Sequence, residues 1–395
     1  MAVQRVVIIG AGYAGVLAAN RLAANKELAG RAGVTVVNPR PDFVERIRLH
    51  EVAAGTRESA SVPLEPLLHP DVAVVVGRAA RIDPQARLVH FTDGREPLGY
   101  DSLLYAAGSS SPSAAGAGGL ADEESAALLR TRLAGLAPGA AVDVVGGGLT
   151  GIEAAAEIAE RHPRLRVRLV SRGTIGADLS AAGRRELRRK LADLGVALAD
   201  HTEAERPDGT HLPPSSADNA PANPSHADLT VWTAGFAVPE LARDSGLPTE
   251  EHGRLLVDAA LSVPGYPDIF GAGDAVRLPD SAGAHLRMSC AAAMPLGAHA
   301  ADAIADRMLD RAPRSFSGGF IVRCISLGRS AGLIQLVHAD DRPRRLALRG
   351  RMGAMVKEQV CRMTLAWIRK EARGGSYAWP KGPRPAADRE LAGAR

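Results

Sequence analysis

The residues able to do chemistry in this chain are concentrated in glycine turns and a few carboxylates. Gly10-Ala11-Gly12-Tyr13-Ala14-Gly15 follows the apolar run Val6-Val7-Ile8-Ile9, and Gly146-Gly147-Gly148-Leu149-Thr150-Gly151 follows Val142-Asp143-Val144-Val145. A G-x-G-x-x-G turn between a β-branched run and an apolar-periodic segment is what a βαβ dinucleotide site requires. The first glycine makes the tight turn and the second lets backbone approach a pyrophosphate. The third lets helix pack on strand, and the helix N-terminus faces the anion. Two such turns predict two dinucleotides, and a chain needs two mainly to pass electrons between them.

Further groups sharpen that chemistry. Ile269-Phe270-Gly271-Ala272-Gly273-Asp274-Ala275 ends an apolar run in backbone donors plus one carboxylate, suited to a ribityl hydroxyl or, alternatively, to capping a helix. Glu153 and Glu157 lie four apart after the second turn and share a helix face. In the opening turn of that helix, Glu153 can simply answer the helix dipole. Asn38 ends the strand Val34–Val37 where a ribose-binding carboxylate is usual, and offers an uncharged hydrogen bond instead. Ser171-Arg172 ends Val167–Val170, placing a hydroxyl and a guanidinium where a carboxylate would repel a 2′-phosphate; this leans toward NADPH.

The elements that must position these groups follow from the apolar pattern. Residues 72–76 read as a buried strand, 103–108 as a strand running into glycine, and 112–119 as a Pro/Ser/Ala/Gly linker. Helices are expected over 151–161 and 180–194, and a proline-rich polar loop over 200–227, before order returns at 229–235. Met288–Met308 predicts a helix starting near Pro295, and 315–340 a small antiparallel sheet. In Arg349–Arg373, the residues Met352, Met355, Val356, Val360, Met363, Trp367 and Ile368 recur at helical spacing beside Arg and Lys. That pattern fits an interfacial membrane helix, or one packed on its own sheet or a twin subunit. The fold class is α/β: two Rossmann-like domains plus a small C-terminal α+β segment.

Composition narrows the classes. The 395 residues allow two or three domains, and 46% hydrophobic content is ordinary for a globular chain. The formal charge is +4, with Arg outnumbering Lys 43 to 5. Ten basic residues against Glu358 and Glu371 fall between Arg342 and Arg373, so basicity is local and does not point to nucleic acid. Cys290, Cys324 and Cys361 form no C-x-x-C pair, which excludes a reductase dithiol and a cysteine zinc cluster. No apolar run reaches the ~20 residues of a membrane span, and Met1–Arg5 leads straight into a strand, so a cytoplasmic protein is expected.

The ordered set GAGYAG, LLYAAG, GGGLTGIEAAAE, LTVWTAG and IFGAGDA resembles the two-dinucleotide flavoprotein superfamily of pyridine-nucleotide oxidoreductases. Within it the chain is similar to the type II NADH dehydrogenase group and its actinobacterial relatives. The resemblance implies an FAD domain over 1–111 and 253–312, an NAD(P)H domain over 112–252, and a C-terminal sheet and basic helix over 313–395. It places FAD along Gly10, Gly12, Ala14 and Gly15, with Asn38 at the ribose, Arg48 neutralising phosphate or flavin charge, and Asp274 at the ribityl chain. Ala79, Ala107, Gly108, Gly273 and Pro295 complete that pocket. NAD(P)H falls to Gly146, Gly148, Gly151, Arg172 and Gly235, with Glu153 as the catalytic carboxylate near nicotinamide and flavin. His50, a lone histidine, reads as packed, with a chemical role as the alternative. No metal is implied. The implied reaction moves hydride from NAD(P)H to FAD and electrons to a quinone-like acceptor; the alternative is a soluble FAD oxidoreductase acting on a small metabolite. The partner expected at residues 342–373 is the inner face of a membrane or a second copy of the chain.

Overall fold

The computed structural model describes residues 3–109, 118–120, 122–204 and 227–383. Most of the linker and of the proline-rich loop expected from sequence lie outside these residues. The β-branched runs that open each glycine turn pair as parallel strands, the arrangement that suits side chains stiff at χ1. Gln4–Ile9 lies inside a six-stranded sheet, between Ala32–Asn38 and Ser102–Tyr105, with Val72–Val76 at one edge. Tyr266–Gly271 lies beside Ser102–Tyr105, and Ser262–Val263 pairs antiparallel at the other edge. The first unit is therefore assembled from two distant stretches of chain.

Val72–Val76 corrects the expectation of a buried strand. It is an edge strand, and Val74 and Val76 are 37% and 44% exposed. An unbroken apolar run does not distinguish a central strand from an edge whose outer face is left open.

The second unit is a five-stranded parallel sheet in the order Gly118–Gly119, Leu229–Trp232, Ala141–Val145, Arg166–Val170, Ala197–Ala199. Helix Leu149–Arg161 follows its glycine turn, and helix Ala181–Asp193 is capped by Ser180, whose Oγ accepts from the Gly183 amide. In the first unit, helix Tyr13–Ala23 packs against helix Cys290–Met308 so closely that a Cβ on Gly297 would stand 2.2 Å from the Ala14 carbonyl. This long helix begins at Cys290, not near Pro295. Pro295 falls inside it, giving up one backbone donor near the N-terminal end, where the surrounding alanines and Gly297 hold the helix by packing.

Strands Val322–Ser326, Gly332–Val337 and Pro343–Arg349 form the antiparallel C-terminal sheet, and helix Gly350–Ala372 closes the molecule. This segment shares its neighbours' cores: Ile325, Leu327 and Leu333 join the second unit, and Ile368 joins the first. Asn20, fully buried, ties the closing helix down, donating to Leu67 O at 2.8 Å and Ile368 O at 3.1 Å and accepting from the His69 amide at 2.8 Å. Arg21 adds ion pairs to Asp302 at 2.6 Å and Glu371 at 2.9 Å. The apolar stripe expected on this helix is divided: Ile368 packs inward with Cys361 and Thr364, whereas Met352, Met355 and Val356 face outward.

Candidate functional site: two glycine cradles and a charged junction

In the first cradle, Gly10 has φ +105°, and a Cβ there would stand 2.3 Å from the Ala106 carbonyl oxygen. A Cβ on Gly15 would stand 1.8 Å from the Gly10 oxygen, whereas one on Gly12 would meet nothing within 4 Å. Gly12 is also the residue before helix Tyr13–Ala23 and has no side-chain cap, so the first-turn amides face open space. A tight first glycine, an open second and a packed third are the steric demands of a pyrophosphate cradle.

The other residues expected here divide by placement. Gly108 (φ +71°) opens onto free space beside half-buried Ala107, and Gly273 (φ +84°) precedes Asp274. The Asp274 carboxylate accepts from Ser109 Oγ at 2.8 Å, and burial pushes its carboxyl up. Ala79 begins a strand just past Val76, the register partner of Asn38. Pro295 is buried in its helix, and Ala14 is the contact point for Gly297.

Two of the expected residues already have partners within the protein. The Asn38 side chain is used within the turn itself: Oδ1 accepts from the Ala11 amide at 3.0 Å and Nδ2 donates to Arg40 O at 2.8 Å. It braces the loop. Arg48 is committed to carboxylates, donating to Glu358 at 2.6 Å and Glu51 at 3.1 Å, so its charge is already neutralised. The residue sequence reasoning missed is Arg46. It donates to the Ser109 carbonyl, makes no ion pair among the described residues, and is pushed down by burial against the pull of Asp274. Arg46 and Arg48 stand two apart on one short turn, and the chain alone does not say which faces the cradle.

The second cradle repeats the steric pattern. Gly146 (φ +131°) would bring a Cβ within 2.5 Å of Thr233 Oγ1, Gly151 within 1.9 Å of the Gly146 oxygen, and Gly148 within reach of nothing. Ser171 lies against the turn, since a Cβ on Gly147 would stand 2.3 Å from its Oγ. Arg172 and Gly235 are exposed at the rim.

Glu153 and Glu157 share the buried face of helix Leu149–Arg161, where the two units and the C-terminal segment meet. Glu153 Oε1 pairs with Lys357 Nζ at 2.8 Å and accepts from the Ser326 amide at 2.9 Å. Burial pushes the Glu153 carboxyl up, but the Lys357 ammonium and these hydrogen bonds outweigh it and hold it below the usual range. Glu157, fully enclosed, pairs with Arg329 at 2.7 Å and accepts from Thr56 Oγ1; burial wins there and its carboxyl is raised. Lys357 and Arg329 were invisible to sequence reasoning because they come from the closing helix and the turn before Gly332, far along the chain.

A cleft of about 230 Å³ opens onto this junction, lined by residues that include Glu51, Ser326, Arg329, Lys357, Glu358 and Cys361. Burial pushes the Cys290 and Cys324 thiols up to about 11, so both are protonated at neutral pH. Among the described residues no cluster of His, Cys, Asp and Glu is arranged to hold a metal ion, and no helix is long and apolar enough to cross a membrane.

The residues present fit two dinucleotides: two glycine turns open at their middle position, and in the first the half-buried Arg46, which has no ion pair among the described residues, near Asp274. Comparison with known proteins agrees. The family model described as pyridine nucleotide-disulphide oxidoreductase matches residues 4–294. An NADH dehydrogenase-like protein of Mycobacterium tuberculosis is 32% identical over 388 residues, covering 90% of this chain and 92% of its own. The demethylphylloquinone reductase of Synechocystis is 28% identical, covering 71% and 73%. The solved structure of NDH2 from Plasmodium falciparum in complex with NADH shares the fold at a TM-score of 0.73 and 13% identity, covering 94% of this chain and 97% of its own.

Proposed function

The chain belongs to the pyridine nucleotide-disulphide oxidoreductase family and is a flavin-dependent oxidoreductase, and from that premise we propose that it oxidises NAD(P)H and reduces a quinone-like acceptor. FAD rests on Gly10, Gly12 and Gly15, with Asp274 and Ser109 holding the ribityl side and Arg46 supplying positive charge. NAD(P)H rests on Gly146, Gly148 and Gly151, with Gly235 at the rim. When bound, FAD supplies the two-electron relay between nicotinamide and acceptor. The chain orients the two cofactors, excludes water and manages the proton.

The observation that carries this reading is the matched pair of glycine turns flanking a buried Glu153–Lys357 pair. Reduction of a quinone by NAD(P)H takes one proton from solvent beyond the hydride equivalent, and an acidic group at the acceptor oxygen supplies it. Glu153, ionised at rest beside Lys357, would take that proton from solvent and pass it on, with Lys357 fixing its position and charge. A relative named for demethylphylloquinone reduction supports a quinone as the acceptor class. The outward Met352, Met355 and Val356, with Leu346 and the arginines around them, are the surface by which the enzyme meets an anionic membrane holding such an acceptor. Ser171 and Arg172 favour NADPH at least as well as NADH.

Purified protein tests this directly. It is expected to be yellow, to release FAD on denaturation, and to oxidise NADH or NADPH with menadione. Colourless protein, or flavin that no pyridine nucleotide reduces, defeats the proposal. Binding to vesicles containing anionic lipid, lost in Met352→Glu/Met355→Glu, tests the membrane surface.

A further inference from the structure

Three strands of the second sheet end side by side, and each carboxyl end carries a different polar group. Ala141–Val145 runs into Gly146, Arg166–Val170 into Ser171 and Arg172, and Ala197–Ala199 into Asp200 and His201. Val145 is in register with Val170, and Val170 with Ala199, so the three ends step along one edge at about 4.8 Å per strand. Ligands of open α/β sheets lie outside this edge. A dinucleotide whose pyrophosphate rests on the glycine turn therefore extends its adenosine ribose past Ser171 toward His201.

His201 is held at this edge in a conformation that costs energy. Its φ is +50°, the left-handed region that is uncommon for any residue but glycine. Such strain persists only where the surroundings over-determine it, and it collects at functional sites. Here the surroundings are the loop after strand Arg166–Val170. The Ser171 amide donates to Ala199 O at 2.9 Å, the Thr202 amide donates to Ser171 O at 2.9 Å, and His201 Nε2 lies 3.2 Å from Thr174 Oγ1. The imidazole is exposed, and its Nδ1 makes no hydrogen bond among the described residues. Asp200, the carboxylate beside it, is taken up elsewhere: Oδ1 accepts from the Ile175 amide at 2.6 Å and Oδ2 from Arg188 at 2.8 Å. Its charge is thereby answered by a guanidinium. Two hydroxyls, the Arg172 guanidinium and the imidazole share one short stretch of the edge.

We propose that His201 reads the 2′-phosphate of NADPH, donating an imidazole N–H to a phosphate oxygen beside Ser171 and Arg172. The proposal rests on the reading of those two residues as the phosphate side of the second cradle. It adds a specificity determinant from the neighbouring strand, and it accounts for a strained side chain where glycine would sit without cost. NADH offers only a ribose hydroxyl at that point and gains less from His201.

The test uses two mononucleotides that differ by that phosphate alone, adenosine 2′,5′-bisphosphate and adenosine 5′-monophosphate, titrated into the flavin-loaded full chain by calorimetry. Wild type is expected to bind the bisphosphate about tenfold more tightly. His201→Gly is expected to lose about fivefold in affinity for the bisphosphate, the size of one net hydrogen bond, and less than about twofold for the monophosphate. Its Tm should hold or rise, because glycine relieves the left-handed backbone. His201→Arg keeps a donor and adds a fixed charge, and it should recover the discrimination. Unchanged bisphosphate affinity in His201→Gly, equal loss for both ligands with or without a fall in Tm, or a discrimination that His201→Arg does not recover overturns the assignment. Wild type that binds both mononucleotides equally removes the Ser171–Arg172 reading itself, and that result is read before any variant is made, so the two failures are distinct.

Discussion

The two glycine turns have nearly the same backbone and different surroundings. In the first, a Cβ at Gly10 collides with main chain, the Ala106 carbonyl at 2.3 Å; in the second, a Cβ at Gly146 meets a side chain, Thr233 Oγ1 at 2.5 Å. Asn38 ties down Ala11 in the first turn, and the long helix Cys290–Met308 presses on Ala14. Around the second turn, Thr150 and Arg172 stand exposed. At its first glycine the first turn meets backbone alone, whereas the second meets a side-chain hydroxyl first and backbone only at 3.0 Å. On the proposed function, that difference suits a resident cofactor in the first turn and a co-substrate that must leave each cycle in the second.

The most severe test swaps a glycine in each turn. Gly15→Ala sets a methyl against backbone that cannot yield and is expected to cost about 3 kcal/mol or more, the upper range for overpacking, with loss of bound flavin. Gly151→Ala, equally tight at 1.9 Å, is expected to damage the second unit first, leaving flavin absorbance while NAD(P)H no longer reduces it. Urea denaturation with flavin absorbance as one probe separates the two; simultaneous loss of both functions in either variant would erase the distinction drawn here.

Gly148→Val has room for its side chain in the protein and fills the space of the phosphates. A rise in KM for NAD(P)H of about 100-fold is expected, equivalent to roughly 3 kcal/mol of lost binding, with flavin content and Tm unchanged. Arg46→Met and Asp274→Ala should each weaken FAD binding by about tenfold, comparable to one charge-assisted hydrogen bond. Arg48→Met should instead lower stability and leave FAD affinity alone. Reconstitution of flavin-free protein measures all three, and equal affinity loss in Arg48→Met and Arg46→Met would return Arg48 to the cradle.

Acid should distinguish the cradles more mildly. Arg48 holds the Glu358 carboxyl down to about 2 from an ordinary 4.5. The unfolded chain therefore binds this proton first, and the stabilisation is complete above about pH 4.5 and lost as pH falls toward 2. That pair fastens the first unit to the closing helix, so Glu358→Gln should show a flatter acid limb in thermal unfolding than wild type. The smallest effect is expected at Arg172→Ala: a severalfold loss of kcat/KM for NADPH with NADH little changed. Equal loss for both donors would mean the arginine does not read the phosphate.

What was legible in the sequence was local. The glycine spacing, the β-branched run before each turn and the Gly-x-Gly-Asp turn are contiguous, and each imposes its geometry whatever lies around it. Charge partners were not legible. Whether Arg46 or Arg48 faces the cradle depends on Glu358, some 310 residues away, and the Glu153–Lys357 pair joins residues separated by more than half the chain. Asn38 was read as a ligand because its position in the strand is a ligand's position; the Ala11 amide that claims it becomes visible only when the loop is folded back. The closing helix was legible as an apolar stripe but not in its division, since helical periodicity does not say which part of the stripe the body of the protein covers.

The assembly of the first sheet has a consequence for synthesis. The five strands of the second unit lie within residues 118–232, so its sheet can pair while the chain is still being made, and its core closes when Ile325, Leu327 and Leu333 arrive. The first unit waits for Tyr266–Gly271, for Asp274, for the helix ending at Met308, and for Ile368 to reach Asn20. The seat for the resident cofactor is begun by the first residues translated and completed by nearly the last. With FAD in the first unit as proposed, cofactor capture would belong to the final stage of making the protein, after Ile368 has reached Asn20.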